Sequence, residues 1–148
     1  MEISMKAIGI IHTPFTKKTE TPIQSARSTA QGTIEVFSEY LEGLDGIDEF
    51  SHAYLIYGWN QAEPCTNLLV KPFLDDQVHG VFATRYPVRP NPVGLSIVKL
   101  VERKNGIITF LGADMLDGTP LWDIKPYIPE FDIFEVEKIG WYKKRKFD

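Results

Sequence analysis

The sequence is poor in the features that most directly announce a function. It has one cysteine, Cys65, which cannot close an intrachain disulfide; a disulfide-stapled secreted scaffold is therefore not expected. No apolar run approaches the ~20 residues of a membrane-spanning helix, and the opening MEISMKAIGI lacks the layout of a signal peptide. A cytoplasmic protein without membrane association is the expectation. No G-x-G-x-x-G follows a predicted strand, and neither a Walker loop nor a G-x-S-x-G elbow is present. His12, His52 and His79 are widely spaced, with no H-x-x-x-H and no cysteine partner, so no metal site is expected. They read as hydrogen-bonded structural histidines, although His52, beside a predicted central strand, is placed to line a pocket. Cys65 has no local nucleophile signature and reads as a packing residue.

An overall positive balance is missing too: 16 Lys+Arg stand against 20 Asp+Glu, a formal charge of −4. The charges are segregated, however. Six acids and no base lie between Glu35 and Glu49, whereas five bases and one acid lie between Arg85 and Lys104, and again between Lys138 and Asp148. A partner feels the local field, so a polyanion remains compatible with the acidic total. The C-terminal run reads equally well as a solvated tail.

What is present suits a folded core. With 148 residues, 43% of them hydrophobic and 24% charged, the chain has the size and balance of one globular domain. Ala7 to His12 is an apolar run of strand length. Thr33 to Phe37 begins with the alternation of a half-buried strand. Ala53-Tyr54-Leu55-Ile56-Tyr57 is apolar on both faces and predicts a central strand, and Val81-Phe82-Ala83 another short one. Between Ser38 and Phe50 the apolar spacing predicts short helical turns broken by Gly43 and Gly46.

Leu95–Arg103 and Ile107–Gly112 flank Asn105-Gly106, the preferred two-residue hairpin turn because both positions call for positive φ. The register that follows sets Lys104 opposite Ile107, Val101 opposite Phe110 and Leu100 opposite Leu111. Short strands, turn signals and no long amphipathic helix predict a mainly β fold: a compact, closed or nearly closed barrel with short helical insertions, not a Rossmann-like sheet.

Two proline-punctuated stretches stand apart. Thr84–Ser96 carries Pro87, Pro90 and Pro92; Asp114–Pro129 carries Pro120, Pro126 and Pro129. Proline lowers the entropy of the free loop, so each is expected to hold one shape, and rigid loops are where binding groups gather. In the first, Arg85 and Arg89 can grip an anion with planar forks of donors, or be two surface arginines on a stiff turn. Asn91 precedes a proline and is therefore extended, and Gly94 allows close backbone approach to a ligand. In the second, Asp114 and Asp117 either cap a turn or, with backbone carbonyls, meet a cation. Lys125 and Tyr127 are two apart and face the same way.

The residues Val81-Phe82-Ala83-Thr84-Arg85 through Arg89-Pro90-Asn91-Pro92-Val93-Gly94-Leu95-Ser96 closely resemble the signature of the TsaA-like, or TrmO, family. Asp117-Gly118-Thr119-Pro120 followed by Asp123-Ile124-Lys125-Pro126-Tyr127 resembles that family's second signature. Ile8–Phe15, Phe50-Ser51-His52, Pro22–Arg27 and Asn60-Gln61 are similar to further family segments.

The resemblance implies a domain over 1–137, a basic tail over 138–148, a β-barrel that uses S-adenosylmethionine, and a homodimer. It implies methylation of the exocyclic nitrogen of threonylcarbamoyl-adenosine next to the anticodon of tRNA. Under it, Arg85 pairs with the methionine carboxylate. Gln24, Ser25, Ala26, Asn60 and Gln61 meet polar edges of the cofactor. Leu95, Met115 and Leu116 pack against its adenine, and backbone carbonyls from Asp114 through Asp117, Gly118 and Thr119 face its positive end. Asp123 or Asp117 is the candidate base, with Lys125 and Tyr127 orienting the substrate. Arg89, Asn91 and the run Lys143, Lys144, Arg145, Lys146 contact tRNA. A non-catalytic module binding S-adenosylmethionine or a nucleotide is the alternative that the residues leave open.

Overall fold

The computed structural model describes residues 1–144. Six strands close into an antiparallel barrel in the order β1-β2-β7-β6-β3-β8: β1 (Gly9–His12), β2 (Gln31–Val36), β3 (His52–Gly58), β6 (Val93–Lys104), β7 (Ile107–Leu111) and β8 (Thr119–Pro126). Two further short strands, β4 (Leu69–Val70) and β5 (His79–Gly80), form a separate two-stranded ladder. Two compact units result. One comprises Met1–Asn60 with Val93–Tyr127, and holds the barrel. The other comprises Gln61–Pro92 with the chain from Ile128 onward, and holds β4, β5 and the single turn α1 (Pro129–Asp132).

The barrel interior follows from alternation. Along β2, β3 and β6 every second side chain turns inward, and Ile11, Ile34, Leu55, Tyr57, Val98, Ile108, Phe110 and Leu121 meet there, each at most 2% exposed. Leu44 and Met115 join this core from outside the strands. The predicted central strand is found: β3 pairs with β6 on one side and β8 on the other.

Four local expectations are corrected. The β6–β7 hairpin starts as predicted, Lys104 opposite Ile107, but the register shifts between Leu100 and Glu102. Val101 is the extra residue of a β-bulge and is 53% exposed, so Leu100, not Val101, faces Phe110, and Lys99 faces Leu111. The bulge resets the parity of the strand, so that Leu100 is partly enclosed beside the fully buried Phe110.

In the hairpin turn Asn105 takes φ +54°, whereas Gly106 answers to space: a Cβ there would lie 2.6 Å from Leu41 Cδ2 and 3.0 Å from Val36 O. Val81–Ala83 is a 3₁₀ turn, not a strand, closed by the Thr84 N–H and hydroxyl donating to Val81 O at 3.1 and 2.8 Å. The 3₁₀ helix Ser38–Leu44 runs straight through Gly43; the break comes at Gly46, at φ +86°.

Candidate active site

The register of β6, β3 and β8 sets Leu95 opposite Ile56 and Ile56 opposite Asp123. It likewise aligns Ile97 with Tyr54 and Lys125, and Lys99 with His52. Because Ala53, Leu55 and Tyr57 point inward, these paired residues share the outer face of the barrel. The face is apolar toward one end, where Leu95 and Ile97 are 55% and 41% exposed. Toward the other it is aromatic and charged. The Tyr127 ring lies against Tyr54 and edge-on to His52, with centroids 5.7 and 6.3 Å apart, and the Tyr127 N–H donates to His52 O at 3.1 Å. Lys125 Nζ pairs with Asp123 Oδ2 at 3.1 Å, while Asp123 Oδ1 accepts the Ile124 N–H at 2.9 Å. Asp123, Lys125 and Tyr127, chosen from the sequence, are thus gathered on one surface. Tyr54 and Ile56, which sequence reasoning passed over as members of a central strand, share it.

A second cluster lies where β6 meets the segment after β7. Ser96 Oγ donates to Asp114 Oδ1 at 2.7 Å and also meets the buried Tyr57 hydroxyl at 2.9 Å. The Ser25 N–H donates to the Asp114 carboxylate as well, and Ser25 Oγ donates to Ile97 O at 2.7 Å. The turn Ser25–Arg27 is therefore fastened to β6 and to Asp114, which joins Ser25 and Asp114, two of the expected cofactor residues. Tyr57 and Ser96 complete the network; being 39 positions apart, they left no local signal.

Burial pushes the Asp114 carboxyl up to about 6, against the opposing pull of its hydrogen bonds from Ser96 and Ser25. Burial, then the Asp114 charge, pushes Tyr57 well above the usual phenol range. With its folded value raised, Asp114 binds more protons in the folded chain than in the unfolded one between pH ~4 and ~6. Its contribution to stability therefore falls as pH rises through that window, by up to ~3 kcal/mol. Asp114→Asn is expected to gain stability relative to the wild type between pH 4 and 7, measured by urea unfolding; a wild-type-to-variant difference that is the same at both pH values would contradict this.

The Asp117 turn is built for shape. Asp117 Oδ1 accepts the Thr13 N–H at 3.1 Å and lies 3.5 Å from His12 Nδ1. The Thr13 hydroxyl donates to Met115 O and the Thr119 hydroxyl to Leu116 O. The Met115 and Leu116 carbonyls expected to face a cation thus accept internal bonds, and the Met115 side chain, 1% exposed, belongs to the core. Leu116 is partly enclosed, Thr119 is buried, and Gly118 is exposed with φ +81°.

Gly94 approaches not a ligand but the Tyr57 ring, whose Cε2 lies 2.0 Å from where a Cβ would stand. Ala26 and Asn60 are both exposed in this unit. In the other unit, Gln61, Arg85 and Asn91 are exposed, while Arg89 Nη1 donates to Thr84 O and Tyr86 O at 2.9 and 3.1 Å, bracing its own loop. Lys143 and Lys144 belong to the 3₁₀ turn Gly140–Lys144; Arg145 and Lys146 lie outside the described residues. Among the described residues no cluster of potential metal ligands occurs, and no helix is long and apolar enough to cross a membrane.

Known proteins share this architecture. A crystal structure of TrmO from Pseudomonas aeruginosa superposes with a TM-score of 0.79 at 36% identity, covering 95% of this chain and 62% of that one. A probable S-adenosyl-L-methionine-binding protein of Pyrococcus abyssi is 54% identical over 96% of this chain and 77% of its own length. The human tRNA (adenine(37)-N6)-methyltransferase is 35% identical over 84% of this chain but only 30% of its own length. The chain thus spans less than two thirds of the solved TrmO chain and of the human enzyme.

The closed, mainly β barrel is the architecture shared with the TrmO structures. Residues 10–133 match the tRNA-methyltransferase O N-terminal domain, and the chain belongs to that family.

Proposed function

We propose that the chain methylates the exocyclic nitrogen of threonylcarbamoyl-adenosine next to the anticodon of tRNA. The observation that carries this reading is the outer face of β6, β3 and β8, where Lys125, Tyr127 and Tyr54 stand together beside exposed apolar residues. Aromatic rings next to a cation suit an unstacked base and its phosphate. When bound, S-adenosylmethionine supplies an electrophilic methyl group. The residues fit it: the Asp114 carboxylate provides negative charge, and Leu95 and Ile97 offer apolar surface to an adenine. Gln24, Ser25 and Ala26 are assigned to its polar edges, as are Asn60 and Gln61, and Arg85 to its carboxylate. Lys125 and Tyr127 orient the substrate, and that orientation supplies much of the rate in a displacement at carbon. Arg89, Asn91 and the basic run from Lys143 are assigned to tRNA phosphates, where neutralised charges make affinity salt-dependent.

We also read the chain as a homodimer, a reading supported by the exposed Phe131, Ile133, Phe134 and Val136.

The deciding measurement is incubation with radiolabelled S-adenosylmethionine and tRNA carrying the threonylcarbamoyl group. Label is expected in that nucleoside and not in tRNA lacking the group. Cofactor binding without transfer would favour a non-catalytic binding module, the reading suggested by the names of the archaeal relatives.

A further inference from the structure

The displacement needs a group to accept the proton of the attacking nitrogen, and the two carboxylates singled out for that task are otherwise engaged. Asp123 spends one oxygen on Lys125 and the other on the Ile124 N–H. Asp117 holds the Thr13 N–H and lies against His12. His52 is differently placed. It opens β3, is half-buried, and stands on the same outer face as Lys125 and Tyr127. Its Nδ1 meets Ser51 Oγ at 2.9 Å, its ring is backed edge-on by Tyr127, and its carbonyl accepts the Tyr127 N–H. Ring and backbone are therefore both fixed. In the tautomer whose Nδ1 donates to Ser51 Oγ, the lone pair is on Nε2, the nitrogen on the far side of the ring.

We infer that His52 is a catalytic residue, the general base that takes the proton from the attacking nitrogen of the tRNA base. This rests on the reading of the chain as a tRNA methyltransferase.

As the new nitrogen–carbon bond forms, the carbon–sulfur bond breaks with its electron pair passing to sulfur, which becomes a neutral thioether. The nitrogen–hydrogen bond breaks with its pair remaining on nitrogen, and the proton passes to His52 Nε2 and then to solvent. A nitrogen conjugated to a carbonyl is a poor nucleophile until that proton leaves, and imidazole is well suited to accept it near neutral pH. The ionisable groups on the face around His52 are Lys99 from β6, Lys125 from β8, Tyr127 just after β8, and Tyr54 from β3 itself.

The test compares wild type, His52→Ala and His52→Gln in three measurements: thermal unfolding, calorimetric binding of S-adenosylmethionine, and single-turnover transfer to threonylcarbamoylated tRNA. Both folded variants are expected to bind the cofactor within about twofold of wild type while transfer slows by ~10²–10³-fold, the span of general-base catalysis. Independently of turnover, in cofactor-free protein the same tRNA is expected to shift the ¹⁵N resonance of His52 Nε2, and tRNA lacking the threonylcarbamoyl group to leave it in place. Transfer within about tenfold of wild type in either folded variant, or a resonance indifferent to the modified tRNA, overturns the assignment. A wild-type protein that transfers no methyl group to this tRNA refutes the parent reading instead.

Discussion

Gly94→Ala is expected to lower the melting temperature by ~10 °C or more. Gly94 pairs directly with Tyr57 across β6 and β3, and the aromatic ring lies over the glycine. A Cβ would sit 2.0, 2.4 and 2.6 Å from three ring atoms, well inside contact distance. The ring is 2% exposed and cannot swing outward, so it must be displaced, which strains the core and breaks the Tyr57–Ser96 hydrogen bond. Overpacking costs ~1–3 kcal/mol, and a buried polar group left without its partner a further ~1–3 kcal/mol. Together these are a large part of a typical domain's ~5–15 kcal/mol. Gly43→Ala is the control, since nothing lies within 4 Å of its Cβ position and its melting temperature should hardly move. Circular dichroism during heating reads both. Equal melting temperatures for the two variants would show that the ring yields at no cost.

Arg85→Ala carries the second large effect, on binding rather than stability. Arg85 is exposed, and thermal unfolding of the variant separates a loss of binding from a loss of fold. If its guanidinium holds the methionine carboxylate, truncation forfeits a charge-assisted, two-pronged contact and affinity for S-adenosylmethionine falls by ~30- to 100-fold. Arg85→Lys keeps the charge but not the fork and should fall between. Calorimetry at constant salt makes the comparison. Unchanged affinity in Arg85→Ala would remove this residue from the cofactor site. Its neighbour behaves differently: Arg89 braces Thr84 and Tyr86, so its removal loosens the loop before it touches any ligand.

The barrel could be read from the sequence because its evidence is local. Alternation in Thr33–Phe37, the β-rich Ala53–Tyr57 and the Asn105-Gly106 turn each speak within a few residues, and the absence of long amphipathic stretches excludes a layered α/β fold. The bulge at Val101 could not be read, since it is decided by which of two neighbours packs against Phe110 from the opposite strand. Val81–Ala83 has the composition of a strand but takes the conformation that the Thr84 hydroxyl and N–H close. At the site, Lys125 and Tyr127 follow from spacing in an extended segment, and Asp123 from the family resemblance. Their company, Tyr54 and His52, follows only once the β3–β8 register is known. The network of Tyr57, Ser96, Asp114 and Ser25 draws on four separate segments, and no window of sequence contains it.

The seam between β1 and β8 has a consequence for how the molecule is made. It joins Gly9, Ile10 and Ile11 to Leu121, Pro120 and Thr119, and Thr13 beside it reaches Asp117 across 104 positions of chain. Pairings so remote in sequence form late and slowly, because the entropy of closing the intervening loop is lost before the contacts compensate. During synthesis, β1 must therefore wait for its second neighbour until β8 has left the ribosome, and until then it presents an open edge to any other strand nearby.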